Sequence, residues 1–321
     1  MTQETSSGIL GISLIDDQLR IVEGKKHLNE FQITQTAHGR VRQPFNFEAF
    51  SDKKMARRFA EDITRLCETQ QFQVKQAAFS LDSRMVLIKK IPVDRALDED
   101  KVEAHLNWEV RQFAISPIKE YIVDFEQIYA NSSDEPLYYM LVVVVRKRIV
   151  EYLKQVFKHT NLQLKVVDVD IFSAQRALQL NYDYSKTDRI GLIDIEEKKV
   201  HFSILNGRNY FLSQDLLYPV LNNNVESRDD SITRLISKEL KKIILDQQIG
   251  NGVEDLNEII LYGEAVEDRV LEGLQNTHDV RIDRANPFKK VKLLAKAKEA
   301  INQSRAERFM VSVGAALRGI Q

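Results

Sequence analysis

The feature of this 321-residue chain that most limits its fold is an internal repeat. GILGISLIDDQLRIVEG (8–24) aligns with RIGLIDIEEKKVHFSIL (189–205) when Ser13 is placed on Asp194. Each copy reads as an apolar strand, a polar turn and a second strand of alternating apolar residues. The turns are Asp16-Asp17-Gln18 and Glu197-Lys198-Lys199. Each copy continues into a third strand, FQITQT (31–36) and NYFLSQDL (209–216). Two such meanders, one opening each half, predict a duplicated α/β architecture.

Helical patterns fill the intervals. Segment 52–69 is amphipathic and leads to a strand, VKQAAFSL (74–81). Asp98, Glu99 and Asp100 begin a helix whose Val102, Leu106, Val110 and Phe113 share one face, and acidic residues suit the positive end of its dipole. Ile149, Val150, Leu153, Val156 and Phe157 mark another helix, after a buried strand at 138–145. Segment 231–247 reads as a helix, EIILYG (258–263) as a short strand ending at Gly263, and 306–320 as a helix of small residues suited to close packing. Polar loops are expected at 131–136 and 222–230.

Composition excludes several functions. At 43% hydrophobic and 29% charged residues the chain is an ordinary globular one, and its net charge of -1 gives no basic excess for nucleic acid. Lys289, Lys290, Lys292, Lys296 and Lys298 read as a solvated helix face. Cys67 is the only cysteine, which rules out an intramolecular disulfide or a CxxC site; it is expected as a small buried side chain. The six histidines show no metal-binding spacing. Asp168 and Asp170 could share a face as paired carboxylates, but capping the next helix is the expected role. Trp108 and the Tyr138-Tyr139 pair read as core or interface residues.

The N-terminus has no signal-peptide pattern, and the longest apolar run, LYYMLVVVV (137–145), falls far short of the ~20 residues that span a bilayer. The expectation is a cytoplasmic protein without direct membrane insertion, reaching a membrane only through a partner. Glycine is scarce, 12 in all, with none between Gly39 and Gly191. Backbone cradles for phosphate need glycine, and neither GxxxxGK[ST] nor GxGxxG occurs.

In this order the segments resemble the actin-like ATPase superfamily, and within it the PilM-like family of type IV pilus assembly proteins, with the GspL cytoplasmic domain of type II secretion as a more distant relative. GISLIDDQLRIVEG looks like the family's first phosphate hairpin, and LIDIEEKKVHFSILNG resembles the second. SLDSRMVLIKKIPV (80–93) and HLNWEVRQFAISPIKEYIVDFEQI (105–128) are similar to its extra subdomain. VVDVDIFSAQRAL (166–178) resembles the crossover into the second half, LYGEA (261–265) the adenosine loop and FMVSVGAALRGI the closing helix. The resemblance implies a duplicated actin-like, ribonuclease H-like α/β fold. It implies a first half over 1–175 with an inserted subdomain at about 80–148, and a second half over 176–321 with a reduced capping subdomain at about 217–250.

The family's nucleotide pocket maps onto Ser13, Ile15, Asp16, Asp194, Glu196, Gly263 and Glu264, and the match is degenerate. Ser13 replaces an Asp, Ile15 and Glu196 replace glycines, and Glu264 replaces the second glycine of the adenosine loop. Side chains at 15 and 196 stand where phosphate oxygens would lie. Like charges roughly 4 Å apart repel by about 4 kcal/mol at an effective dielectric near 20, comparable to about three factors of ten in affinity. The expectation is a pocket that has lost its nucleotide, with no catalytic residue, no metal and no cofactor. The protein would then be a structural adaptor that binds the cytoplasmic N-terminal segment of a PilN-like inner-membrane protein as an extended peptide. Strand 84–90 and segment 117–128 are the places to look for the groove. The alternative is a working ATPase that closes on ATP and magnesium through Asp194 and Gly263; a third reading is a filament-forming relative.

Overall fold

The computed structural model describes residues 8–28, 30–128, 136–217, 228–302 and 304–320. The first meander is β1 (Gly8–Ile15), β2 (Gln18–His27) and β3 (Glu30–Arg40), antiparallel throughout. Asp16 turns β1 into β2 at φ 52°, a left-handed conformation that a short polar side chain tolerates. Helix α1 (Lys53–Thr69) starts at Asp52, whose carboxylate accepts a hydrogen bond from the Lys54 N–H. It leads to β4 (Gln76–Leu81), which pairs parallel with β1.

The chain then leaves this sheet for β5 (Val86–Asp94), α2 (Glu99–Phe113), β6 (Tyr121–Ile128) and β7 (Leu137–Arg146). It returns through α3 (Lys147–Lys158) to β8 (Gln163–Val169) and α4 (Asp170–Asn181). The strands β5, β7 and β6 form a separate antiparallel sheet in that order. Val102, Leu106 and Val110 of α2 bury against Ile91, Val93, Val142 and Val144 on one face of it. At roughly 1.5–3 kcal/mol per buried side chain, these three hold the helix down. The other face turns Val86, Ile88, Val143 and Val145 toward the first core. Among the described residues, strand β6 has a single partner strand and is an edge.

The second meander is β9 (Arg189–Ile195), β10 (Lys199–Asn206) and β11 (Asn209–Leu217), followed by α5 (Arg228–Asp246), β12 (Glu258–Tyr262), α6 (Asp268–Thr277) and β13 (Arg281–Arg284). Then come β14 (Lys292–Leu293), α7 (Ala295–Asn302) and α8 (Met310–Ile320). The sheets are ordered β14-β3-β2-β1-β4-β8 and β11-β10-β9-β12-β13. With β14 set aside, both read third, second, first, fourth, fifth, with the last two joins parallel. The repeat in the sequence is therefore a repeat in topology.

Helix α8 returns to pack on β1, β2, β4 and α4. A Cβ at Gly314 would lie 1.7 Å from the Ser173 carbonyl oxygen, so only glycine allows this crossing with α4. The single helix expected over 306–320 is a 3-10 turn at Ala306–Phe309 followed by α8. The expected loop at 131–136 lies outside the described residues except for Pro136. That at 222–230 lies outside them up to 227, and residues 228–230 are already the first turn of α5. Cys67 is only partly buried, and burial pushes its thiol up to about 12. All five lysines from 289 to 298 are exposed, though only Lys296 and Lys298 lie on a helix.

Candidate functional site: a cleft bridged by its own side chains

The two hairpins face each other, and the residues between them form two reciprocal ion-pair clusters. Arg20, on β2 opposite Ser13, is buried. Its guanidinium reaches Glu196, just past β9, at 3.4 Å and Glu264, just past β12, at 2.9 Å. Arg308 holds the other oxygen of Glu264 at 3.1 Å. In return Lys199, the first residue of β10, sends its ammonium to Asp82 after β4 at 3.1 Å and to Asp170 at the head of α4 at 3.2 Å. Asp194 of β9 is 4.0 Å from the same ammonium. Arg20 of the first hairpin thus reaches the second hairpin, and Lys199 of the second reaches the ends of β4 and β8 in the first half. At the rim Arg40 adds pairs with Asp17 at 3.4 Å and Glu197 at 2.9 Å.

Lys199 is 0% exposed, and a buried ammonium is tolerated only where carboxylates match it. Burial alone would lower its pKa, but Asp170 and Asp82 outweigh burial and hold it raised. Arg20 is likewise raised, against burial, by Glu196 and Glu264. Burial pushes Asp82 up, but Lys199 and Arg84 win and hold its carboxyl below the usual range. For Asp170 and Glu196 burial wins, and both stand above the usual range. Burial and then Glu196 push Asp194 well above it. Neither oxygen of Asp194 has a hydrogen-bond partner among the described residues, nor does the Ser13 hydroxyl.

All seven sequence-predicted pocket residues belong to this cleft or its wall. Ser13 and Ile15 are buried in β1, and Asp16 accepts from Arg84 at 2.9 Å. Gly263 has φ 110°, and a Cβ there would lie 2.4 Å from Asp194 Oδ1, so this turn lies directly on the second hairpin. Glu196 and Glu197 are where two arginines from the first hairpin and its neighbouring strand arrive. Sequence reading missed those cations. Arg20 stands between Leu19 and Ile21, both apolar and buried, and that placement was the available signal, whereas Lys199 follows the exposed Lys198 and read as a turn residue. Asp170 keeps part of the expected capping role, its carboxylate accepting from the Ile171 N–H in the first turn of α4, whereas Asp168 accepts from no backbone N–H of the helix. Asp170 also accepts from the Ser83 N–H and Lys199, while Asp168 accepts from Ser173 and Arg176.

A second concavity, about 600 Å³, runs along β6. Asp124 to Ile128 form one wall, Phe172, Gln175 and Gln179 of α4 another, and Arg208 to Tyr210 close one end. Of the two segments singled out for a groove, 117–128 supplies its residues 124–128, whereas 84–87 line a different pocket. The polar face of α4 was not anticipated.

The topology defines an actin-like fold. A structure titled as a PilM-PilN type IV pilus biogenesis complex superposes at a TM-score of 0.78, 18% identical, covering 98% of each chain. A Bacteroides thetaiotaomicron protein with an actin-like ATPase fold superposes at 0.50, 8% identical, covering 89% of this chain and 95% of the other. The cytoplasmic domain of EpsL, an inner-membrane component of the Vibrio cholerae type II secretion system, gives 0.49 at 8% identity, covering 94% and 98%. The sequence profile of the type IV pilus assembly protein PilM family matches residues 11–221. The chain belongs to that family.

An actin-like fold raises the matter of magnesium and ATP, and the side chains present do not fit that group. A dication needs free oxygen ligands, but Lys199 already takes Asp82 and Asp170. A triphosphate needs donors, but Arg20 is held by Glu196 and Glu264, which add negative charge. Among the described residues of the cleft, Asp194 and the Ser13 hydroxyl keep oxygens without a hydrogen-bond partner. No helix among the described residues is long and apolar enough to cross a membrane.

Proposed function

We propose that this PilM-family protein is a structural adaptor that works without hydrolysing ATP, holding the cytoplasmic N-terminal segment of a PilN-like inner-membrane protein at a pilus or secretion assembly platform. The observation that carries this reading is the reciprocal exchange of Arg20 and Lys199 across the cleft. Cations tethered to the chain stand where a nucleotide's metal and counter-charges would be needed. The partner is carried over from the similar solved complex of PilM with PilN. The groove along β6 suits it, because an extended peptide can use the unpaired edge of that strand while its apolar side chains meet Phe172 and Leu141. The protein would then be cytoplasmic and peripheral to the membrane.

The test is calorimetric titration of the partner's N-terminal peptide into the purified protein, with and without magnesium-ATP. Equal affinity in both is expected; binding that appears only with nucleotide would contradict the proposal. One observation favours the ATPase reading instead: the unpartnered oxygens of Asp194 would suit a metal's water shell. That reading requires turnover in the purified protein that Asp194→Ala abolishes.

A further inference from the structure

The end of the first sheet opposite the cleft carries cations that the fold does not use. Strand β1 runs from Gly8, opposite Lys25, to Ile15 at the cleft, so the turn between β2 and β3 lies at the other end. Lys25 and Lys292 both pair with Gln32 from either side, so they share one face with Cα atoms about 10 Å apart. Lys26, opposite Phe31, serves the other face. Lys296 and Lys298 continue the charge along α7, which follows β14 and packs on β3. Lys25 is held by Glu23 at 3.2 Å, but Lys26, Lys292, Lys296 and Lys298 are exposed and form no ion pair with a described residue. The exposed acids among them are Glu30, opposite His27, and Glu299 on α7, which leaves an excess of positive charge. Lys289 and Lys290, by contrast, are occupied, one over the Tyr182 ring and the other with Asp183.

Two leucines stand among these lysines. Leu28, next after β2, is 76% exposed and holds φ 49°, a left-handed conformation that glycine or asparagine adopts at lower cost. Leu294, between β14 and α7, is 39% exposed. A leucine that is both exposed and left-handed contributes little to the core, and strain kept at a surface points to a contact outside the chain. No exposed Phe, Tyr or Trp lies among the lysines to stack on bases, which disfavours nucleic acid. Lysine stems lying along an apolar boundary, with their ammonium groups at phosphates and a leucine between them, match the chemistry of a lipid headgroup layer.

We propose that this end of the molecule adsorbs to an anionic phospholipid surface, with Lys26, Lys292, Lys296 and Lys298 at the headgroup phosphates and Leu28 at the acyl boundary. The contact is peripheral: the lysines are drawn by the negative surface within a Debye length, and no segment crosses the bilayer. The groove along β6 reaches the same end of the molecule. Gly319 packs on Ile9, one residue from Gly8, and its neighbour Arg318 lines that groove. A peptide leaving the groove there would run toward the surface on which the lysines rest. The charge and the exposed leucines carry the inference without the adaptor reading, which adds only a reason for a membrane to be within reach.

The experiment is co-sedimentation of the full chain with vesicles of phosphatidylcholine alone and of phosphatidylcholine mixed with phosphatidylglycerol. Binding to the mixed vesicles is expected, with release at high salt and little binding to phosphatidylcholine alone. Reversing Lys26→Glu and Lys292→Glu together should weaken binding at least about tenfold. Leu28→Ser, at an exposed position outside the core, should weaken it about fivefold. The same charge change at Lys154→Glu and Lys158→Glu, exposed on α3 beside the opposite edge strand β8, should leave binding unchanged. The Lys26 and Lys292 variant should still bind the PilN-like peptide as the parent chain does, so a failure here is distinct from a failure of the adaptor reading. No binding to the mixed vesicles would overturn the proposal. So would equal binding to phosphatidylcholine alone, an undiminished Lys26 and Lys292 variant, an undiminished Leu28→Ser variant, or an equal loss in the α3 control.

Discussion

One helix serves two regions that differ in almost every respect. Helix α4 sends Asp170 into the cleft between the hairpins, and Phe172, Gln175 and Gln179 to the groove along β6. In the cleft nearly every charge is buried and answered by another charge of the same chain. In the groove the strand edge is open, Phe172 is half-buried against Tyr210, and Gln175 and Gln179 are half-buried with their amide nitrogens donating to the Arg208 carbonyl. A buried cluster that satisfies itself has few donors or ligands left for a guest, whereas an open edge can still pair with one. Under the proposed function, recognition belongs to the groove and closure to the cleft.

The sharpest way to break the comparison is to remove a cation from the cleft. Lys199→Met leaves Asp82 and Asp170 buried without their cation, and removing one partner of a buried pair costs about 3–5 kcal/mol. Urea unfolding should show that loss while the isolated substitution leaves the groove's lining intact. The converse change, Phe172→Ala, should lower affinity for the PilN-like peptide at least about tenfold, or roughly 1.4 kcal/mol, as read by calorimetry. Together the pair separates a residue that holds the fold from one that holds a partner.

How much of this was legible in the sequence follows from where each signal resides. The two meanders could be read because strand periodicity and turn residues are local, and the shared strand order then follows from the repeat. The α2 face could be read for the same reason, with Val102, Leu106 and Val110 all buried. The pocket positions came only from resemblance, residue by residue. What no local pattern reveals is a pairing between residues 176 positions apart, such as Arg20 with Glu196. A carboxylate in a turn looks like a solvated turn residue until the opposite hairpin is in place. For that reason Glu196 read as incompatible with the site, when it is what Arg20 requires.

Titration sharpens the account of the cleft. A carboxyl whose folded pKa is raised binds its proton more tightly in the fold, so its contribution weakens the fold as pH rises past the ordinary carboxylate range, near 4. Asp194, pushed up by burial and by Glu196, is such a group. Asp194→Asn should therefore stabilise the protein at neutral pH, on the order of 1 kcal/mol. The gain should shrink as pH falls toward the unfolded carboxylate value, which melting curves across pH would follow. The smallest effect belongs to the rim. Arg40 is 61% exposed, and Arg40→Ala should cost about 0.3 kcal/mol, less still in high salt.

The central claim is that the chain's own cations have replaced the nucleotide. Its most direct test is titration of magnesium-ATP into the purified protein, with a melting curve at millimolar nucleotide alongside. The account predicts no binding heat and no shift in melting temperature. Micromolar binding, with the stabilisation of about 2.7 kcal/mol expected at a hundredfold excess over Kd, would contradict it: Arg20 and Lys199 would then have to move aside to admit a guest.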